Sequence, residues 1–495
     1  MTDRFSRTDL STTAPCDPNE LGGVYCGGTW QGLIGKLDYI QDMGFTAIWI
    51  SPIVHNIEGN TTDGSAYHGY WADDIYDFNE HFGTAADLKN LSQALHNRNM
   101  YLMVDVVLNH FAWNGAPSTV NYSEYIPFNS SSYFHPYCSI DYNNATSILD
   151  CWEGDTNVPL PDLRTESSDV QNIFNSWVKE LVSEYNIDGI RLDSYQQTGI
   201  GPASSFTNAS GVYVMGEVIS LPLPVSFFTN SHQIFDSSVD KVCEYQTEGV
   251  NVLNYPAYYS ITNAFSSSSG NMSALATDLS SMQTTCADTT LLGSFMENQD
   301  NPRFPSLTSD LSRAANAITF TMLNDGVPII WQGQEAHLAG GGTPNQREAI
   351  WLTSYNTSAP LYNLIKNLNQ FRSQVISNNN TFVTNNIQPV YWDQRTLVTR
   401  KGPANVPVVG VYTNVGQSGA AYNVSLLNNM TMFNKNEQVV DVLSCQLFTT
   451  DNSGGLIVTM DNGGMPRVLW PYTGIAGTQI CTGESLGKLL CHTMC

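Results

Sequence analysis

Three carboxylates follow three strand-like runs: Asp193 after Gly189-Ile190-Arg191-Leu192, Glu217 after Val212-Tyr213-Val214-Met215-Gly216, and Asp300 after the apolar stretch from Leu291 to Phe295. Helix- or loop-like sequence separates each from the next. In an alternating α/β barrel the C-terminal strand ends converge on one mouth, so the pattern predicts that the three carboxyls share a site. Two carboxyl groups about 5 to 5.5 Å apart are what a retaining glycosidase needs, one as nucleophile and one as acid. The third is then left to stabilise positive charge or to distort a sugar ring. Arg191 lies two residues before Asp193, on the same strand face, where an opposite charge keeps the nucleophile ionised.

Two further clusters supply supporting groups. Ala66-Tyr67-His68-Gly69-Tyr70-Trp71 sets flat rings beside hydrogen-bond donors, which suits stacking on pyranose faces. Asp105-Val106-Val107-Leu108-Asn109-His110 ends a buried run with three polar groups. Asn109 suits a cation there, and His110 a sugar hydroxyl.

The elements that must carry these groups are legible as continuous apolar runs. Phe45 to Ile50, Met100 to Val107 and Pro328 to Trp331 read as parallel strands covered on both faces. Amphipathic stretches such as Leu91 to Asn97 and Ile173 to Tyr185 read as helices between them. The expected fold is α/β, a (β/α)8 TIM barrel over residues 1–108 and 165–377. Residues 109–164, rich in Ser, Asn, Tyr and Pro, form an inserted subdomain after the third strand. From residue 378 helix signals fade and β-prone runs such as Val408 to Tyr412 and Leu456 to Thr459 appear between turns. They predict a C-terminal antiparallel β-sandwich over residues 378–481, followed by an unstructured tail, 482–495.

Composition narrows the partners. In 495 residues, 20 basic against 45 acidic side chains give a net charge of −25, which excludes nucleic acid and anionic membrane as binding surfaces. No run of about 18 apolar residues is present, so no membrane span is expected. Ten cysteines and eleven Asn-X-Ser/Thr sites, among them Asn90, Asn144, Asn208 and Asn429, point to an oxidising, secretory compartment. The polar first 20 residues carry no signal peptide, and the polar end from Thr482 to Cys495 carries no anchor. The chain therefore reads as trimmed or re-ended. Connectivity of the cysteines does not follow from sequence.

The motifs together resemble a known family. Asp105 to His110, Gly189 to Asp193, Gly216-Glu217-Val218 and Glu297-Asn298-Gln299-Asp300-Asn301 look like the four ordered signature regions of the α-amylase family, glycoside hydrolase family 13. Thr29-Trp30-Gln31-Gly32, Leu160-Pro161-Asp162-Leu163 and Leu253-Asn254-Tyr255-Pro256 are similar to its fungal secreted branch. The resemblance implies Asp193 as nucleophile, Glu217 as general acid/base and Asp300 as the third acid. It implies His68, Tyr70, Trp71, His110, Arg191, Gln299 and Arg347 as substrate contacts. It also implies calcium held by Asn109 and Asp162, with main-chain oxygens near Asp150 and Gln197. Disulfides Cys16 with Cys26, Cys138 with Cys151, Cys243 with Cys286, and Cys445 with Cys481 are implied likewise. Family chains begin with a strand before the Thr2-Asp3-Arg4-Phe5 motif, so the first barrel strand is expected to be missing, leaving neighbouring strand edges open.

Departures from the pattern bear on the reaction. Gln299 stands where the family commonly carries His before the third acid, Gln196-Gln197 replace a Lys-His pair, and Asp63 replaces an aromatic sugar platform. Losing the His removes a hydrogen bond that strengthens as the oxocarbenium forms, which is expected to weaken hydrolysis by about 1 to 3 kcal/mol. The fungal anchored α-glucanotransferases look similar in lacking such histidines. The expectation is a monomeric enzyme on α-1,4-glucan, secreted or associated with the cell wall, that favours transfer to another glucan (4-α-glucanotransferase) over hydrolysis. A hydrolytic endo-acting α-amylase and a catalytically silent glucan-binding protein are the alternatives.

Overall fold

The computed structural model describes residues 1–219, 238–246, 249–460, 463–475, 478 and 480–481. The expected tail, with Cys491 and Cys495, lies outside the described residues. The chain divides into two compact units, Met1–Gln41 with Phe45–Leu253 and Thr343–Tyr355, and Asp42–Gly44 with Asn254–Gly342 and Asn356–Cys495.

The first unit holds five parallel strands in chain order, Ala47–Ile50, Tyr101–Val107, Gly189–Asp193, Tyr213–Gly216 and Val250–Val252. Helices Ala85–His96, Ser168–Tyr185 and Ile200–Ser210 lie between successive strands of this set. A capping box starts the first of these helices: the Asp87 N–H donates to the Thr84 hydroxyl, and the Thr84 N–H donates to the Asp87 carboxylate at 2.9 Å. In Ser168–Tyr185 the apolar stripe Val170, Phe174, Trp177, Val178, Leu181 and Tyr185 is buried. Strand register does the positioning. Asp105 pairs with Arg191, Val107 with Asp193, and Leu192 with Gly216, so the polar side chains of three strands gather toward their C-terminal ends.

The insertion leaves the barrel rhythm after Val107. It carries the helix Ala145–Asp150 and a small antiparallel pair, Glu153–Gly154 with Pro159–Leu160. Its core is aromatic, with Phe111 edge-on to Tyr125 and Phe128, and the Cys138–Cys151 disulfide closes one of its loops.

In the second unit the strand-like runs around Leu291 and Pro328 are trimmed to a parallel pair, Gly293–Ser294 with Val327–Pro328. The ladder is prolonged by one bond at each end, the Val327 N–H to the Leu292 carbonyl and the Ile329 N–H to the Ser294 carbonyl, each 2.8 Å. The partner strand ends there because Asn298, three residues past Phe295, organises a turn. Helices Tyr255–Phe265, Met272–Thr285, Leu311–Leu323 and Pro360–Asn378 accompany the pair. A six-stranded antiparallel sheet follows, in the order Gln388–Trp392, Thr396–Lys401, Val408–Thr413, Arg467–Pro471, Gln438–Asp441, Leu447–Thr449. A second antiparallel pair, Tyr422–Leu426 with Leu456–Met460, packs its Val424, Leu426, Val458 and Met460 against Val398, Val409, Val411 and Leu469 of the larger sheet. That is the expected β-sandwich.

Candidate active site

Arg191 organises the carboxylates of the first unit. Its side chain is 1 % exposed and touches three carboxylates: Asp105 at 3.0 Å, Asp193 at 2.5 Å and Glu217 at 2.8 Å. Asp105 also accepts hydrogen bonds from the Tyr70 hydroxyl at 2.8 Å and the Trp49 indole at 3.1 Å. Burial pushes its carboxyl up to about 7, against the pull of Arg191. Asp193 and Glu217 end neighbouring parallel strands and meet at one residue, Ser194. The Ser194 N–H donates to Glu217 Oε2 at 3.2 Å, and its hydroxyl lies 3.0 Å from Asp193 Oδ2. Ser194 reaches both because its backbone turns left-handed, φ 46°, directly after the strand.

The candidate sugar contacts lie around this centre. His68 is buried and held well below its usual pKa by that burial, with Arg347, Arg4 and His110 adding to the effect. It is neutral, and its Nδ1 accepts the Tyr70 N–H at 3.0 Å, which leaves Nε2 as the donor. Its ring stacks on Tyr70 and meets Trp71 edge-on. Trp71 also packs on Ile57, Ala112 and Val158. Arg347 donates to the Tyr67 hydroxyl at 3.1 Å, and its carbonyl accepts from Arg4. His110 donates Nε2–H to the Tyr70 carbonyl at 3.2 Å. Asp63 has one buried carboxylate oxygen with no donor.

Asp300 and Gln299 belong to the second unit. There Asn298 is the organiser: its Oδ1 accepts the N–H groups of Asp300 and Asn301, each at 3.0 Å, and its amide donates to the Tyr255 hydroxyl at 2.9 Å. Arg303 pairs with Glu297 at 3.2 Å, and both side chains are buried. The turn presenting Asp300 is thus fixed from below by an Asx turn and an ion pair.

The residues expected to bind calcium come together in the first unit. Asn109 and Asp162 sit on chain segments joined by the Leu163 N–H to Asn109 carbonyl bond, 2.8 Å. Asn109 Oδ1 and Asp162 Oδ1 are both buried and receive no hydrogen bond, a pair of oxygens that suits a hard divalent cation. His135 lies 2.6 Å from Asp162 and 3.7 Å from Asp150. The helix Ala145–Asp150 packs on the short helix Tyr195–Thr198, which holds Gln197.

With this geometry in view, the comparisons decide the family. The model of the α-amylase catalytic domain matches residues 1–396, and that of α-amylase domain C matches residues 389–487. The chain belongs to the α-amylase family. Among its relatives, α-amylase 2 of Schwanniomyces occidentalis is 47 % identical over 97 % of this chain and 90 % of its own length. The α-amylase of Saccharomycopsis fibuligera is 45 % identical over 95 % of this chain and 90 % of its own. The solved α-amylase of Malbranchea cinnamomea superposes with a TM-score of 0.90 at 43 % identity, covering 97 % of each chain. This amylase-family chain is therefore a glycosidase with a (β/α)8 catalytic domain and a C-terminal β domain. Three disulfides are formed as the resemblance implied, Cys16–Cys26, Cys138–Cys151 and Cys445–Cys481, and Cys243 and Cys286 are disulfide-bonded. Among the described residues, no helix is long and apolar enough to cross a membrane.

Four groups in the site went unassigned in the sequence reading. Trp49, Ser194 and His135 contact predicted residues, but only Ser194 had a signal, its place beside the nucleophile. Glu153 had none. It is one of several acids in the insertion, with no motif around it, and only the folded hairpin brings it to Asn109, His110 and Ser194.

Proposed function

We propose that the chain is a retaining enzyme that hydrolyses α-1,4-glucosidic bonds in starch-like glucans and maltooligosaccharides, acting as a secreted monomer. The observation that carries this reading is Arg191 holding Asp193 and Glu217 together at the ends of adjacent strands. Asp193 attacks the anomeric carbon while Glu217 gives its proton to the glycosidic oxygen; the C–O bond breaks and a β-glucosyl ester forms. Glu217, now a carboxylate, takes a proton from water, whose oxygen attacks the same carbon and releases Asp193. Configuration is retained after two inversions. One guanidinium against three carboxyls leaves the cluster short of positive charge, which favours retaining a proton within it between turnovers. Asp300 is assigned the third acid's role by the family motif, binding hydroxyls of the distorted sugar.

Calcium, bound by Asn109 and Asp162 with oxygens near Asp150 and Gln197, would supply a structural staple between the insertion and the barrel. Four cystines and exposed sequons such as Asn90, Asn144, Asn208 and Asn429 support secretion.

Hydrolysis is preferred to transfer because relatives 44 to 47 % identical over nearly the whole chain are named α-amylases. The transfer preference expected from Gln196, Gln197 and Gln299 finds no support in those names. It stays as a second reading on those three residues alone. Chromatography of products from pure maltoheptaose separates them: only shorter products mean hydrolysis, whereas early products longer than the donor mean transfer. Asp193→Asn should lower kcat by about 10⁴ or more. Wild-type turnover in that variant would remove the mechanism and leave a different nucleophile to be found.

A further inference from the structure

Glu153 projects one carboxylate oxygen into the space between two sites. Its Oε2 accepts the Asn109 amide N–H at 3.1 Å and the Ser194 hydroxyl at 2.9 Å, and lies 3.2 Å from His110 Nδ1. Its side chain is 19 % exposed, whereas that of His110 is 3 %. An acid in an inserted hairpin thus touches a proposed cation ligand, a proposed sugar contact and the neighbour of the proposed nucleophile.

We propose that Glu153 is a positioning residue that ties the cation site to the nucleophile. The inference rests on the functional reading above and adds a residue to it. Two consequences follow from hydrogen-bond chemistry. First, an amide has a donor end and an acceptor end. With its Nδ2 held by Glu153, Asn109 must turn Oδ1 the other way, and Oδ1 is the buried oxygen that receives no donor and suits a cation. Without Glu153 the amide loses that restraint.

Second, the Ser194 hydroxyl has one hydrogen and two carboxylates within reach, Glu153 Oε2 at 2.9 Å and Asp193 Oδ2 at 3.0 Å. Asp193 Oδ1 is already held by Arg191. When Ser194 donates to Glu153, Oδ2 keeps its full electron density for attack. When Glu153 is absent, the hydrogen settles on Oδ2 and weakens it as a nucleophile. The backbone of Ser194 is fixed meanwhile by its N–H to Glu217, so the hydroxyl can rotate without moving the catalytic pair.

The test compares Glu153→Ala, Glu153→Gln and Glu153→Ala combined with Ser194→Ala with the wild-type enzyme in two measurements: Tm against calcium concentration from a chelated start, and kcat and KM on maltoheptaose. For Glu153→Ala we expect the calcium concentration giving half the Tm rise to increase about tenfold. We expect kcat to fall about tenfold while KM stays within twofold. Glu153→Gln, which keeps an acceptor oxygen of the same reach, should restore the calcium response to within about threefold of wild type. Adding Ser194→Ala to Glu153→Ala removes the hydrogen that would settle on Asp193 Oδ2, so the combined variant should regain most of the kcat lost in Glu153→Ala while its calcium response stays as weak. A calcium response and kcat both within twofold of wild type in Glu153→Ala overturn the proposal, as does a kcat change in that variant with no change in calcium response. A combined variant whose kcat stays as low as that of Glu153→Ala also overturns it, and if neither folds, a Glu153→Gln enzyme with no calcium response at all does so. Inactivity of the wild-type enzyme on any α-glucan would instead refute the functional reading, with the calcium curves still deciding whether Glu153 serves the cation site.

Discussion

Arg191 is outnumbered three to one by the carboxyls it touches, and that imbalance sets the chemistry residue by residue. Each carboxylate gains an opposite charge, yet the pocket stays negative, which suits a reaction whose transition state gathers positive charge on the sugar ring. A second charged pair in this unit lies away from that centre and offers a clean pH test. His55 Nδ1 is 2.5 Å from Asp73 Oδ1, and this hydrogen bond raises the histidine above its usual value, with burial opposing it. A histidine raised by folding contributes stability that is fully present below the unfolded value of about 6.5 and is lost as pH rises through the folded value. His55→Gln should therefore destabilise at pH 5.5 and make little difference at pH 9. Both partners are about a quarter exposed, so the effect at pH 5.5 is no more than about 1 kcal/mol. Urea midpoints at the two pH values measure it, and an equal loss at both would mean that the His55 charge plays no part.

Between elements, one buried carboxylate does for the second unit what Arg191 does for the first. Asp325, in the turn after the helix Leu311–Leu323, accepts the Lys401 ammonium at 2.7 Å, the Ile387 N–H at 2.8 Å and the Thr289 hydroxyl at 2.8 Å. Lys401 ends the strand Thr396–Lys401, so the pair pins the sheet to the helix-rich part of the unit. Burial lowers the Lys401 ammonium from its ordinary value, with Asp325 opposing the shift. Asp325→Ala strands that ammonium and four other donors, the Asn386 and Gln283 amides included, and should cost about 3–5 kcal/mol. Asp325→Ala combined with Lys401→Met should cost less than Asp325→Ala alone, and a thermal melt of the three variants checks the order. Neither residue drew notice in the sequence, because a lone Asp in a turn and a lone Lys at a strand end have no periodicity or motif. Legible features had one: apolar runs gave the parallel strands, the amphipathic stretch from Ile173 to Tyr185 gave a helix, and acids at strand ends gave the catalytic candidates. Strand ends were read too long at Pro328 to Trp331, since apolar character persists there after the ladder partner has turned away. Glu153 was invisible for a different reason, that its three contacts come from segments far apart in the chain.

At the scale of the whole molecule two electrostatic effects act together, and they can be separated. A net charge of −25 makes the folded chain repel itself, and that repulsion falls as salt shortens the screening length from about 30 Å at 0.01 M to about 8 Å at 0.15 M. The proposed calcium site acts instead at one place, where Asn109 and Asp162 offer unpaired buried oxygens. Sodium chloride should raise Tm in the wild-type enzyme and in Asp162→Asn by the same increment, because it works on the distributed charge. Calcium at about a hundred times its dissociation constant should add about 2.7 kcal/mol by mass action, a rise of several degrees, in the wild-type enzyme alone. At micromolar calcium the screening length is unchanged, so a calcium increment cannot be a salt effect. A calcium increment that persists undiminished in Asp162→Asn would place the ion elsewhere, and the staple between insertion and barrel would have to be sought in the Cys138–Cys151 loop and its aromatic core instead.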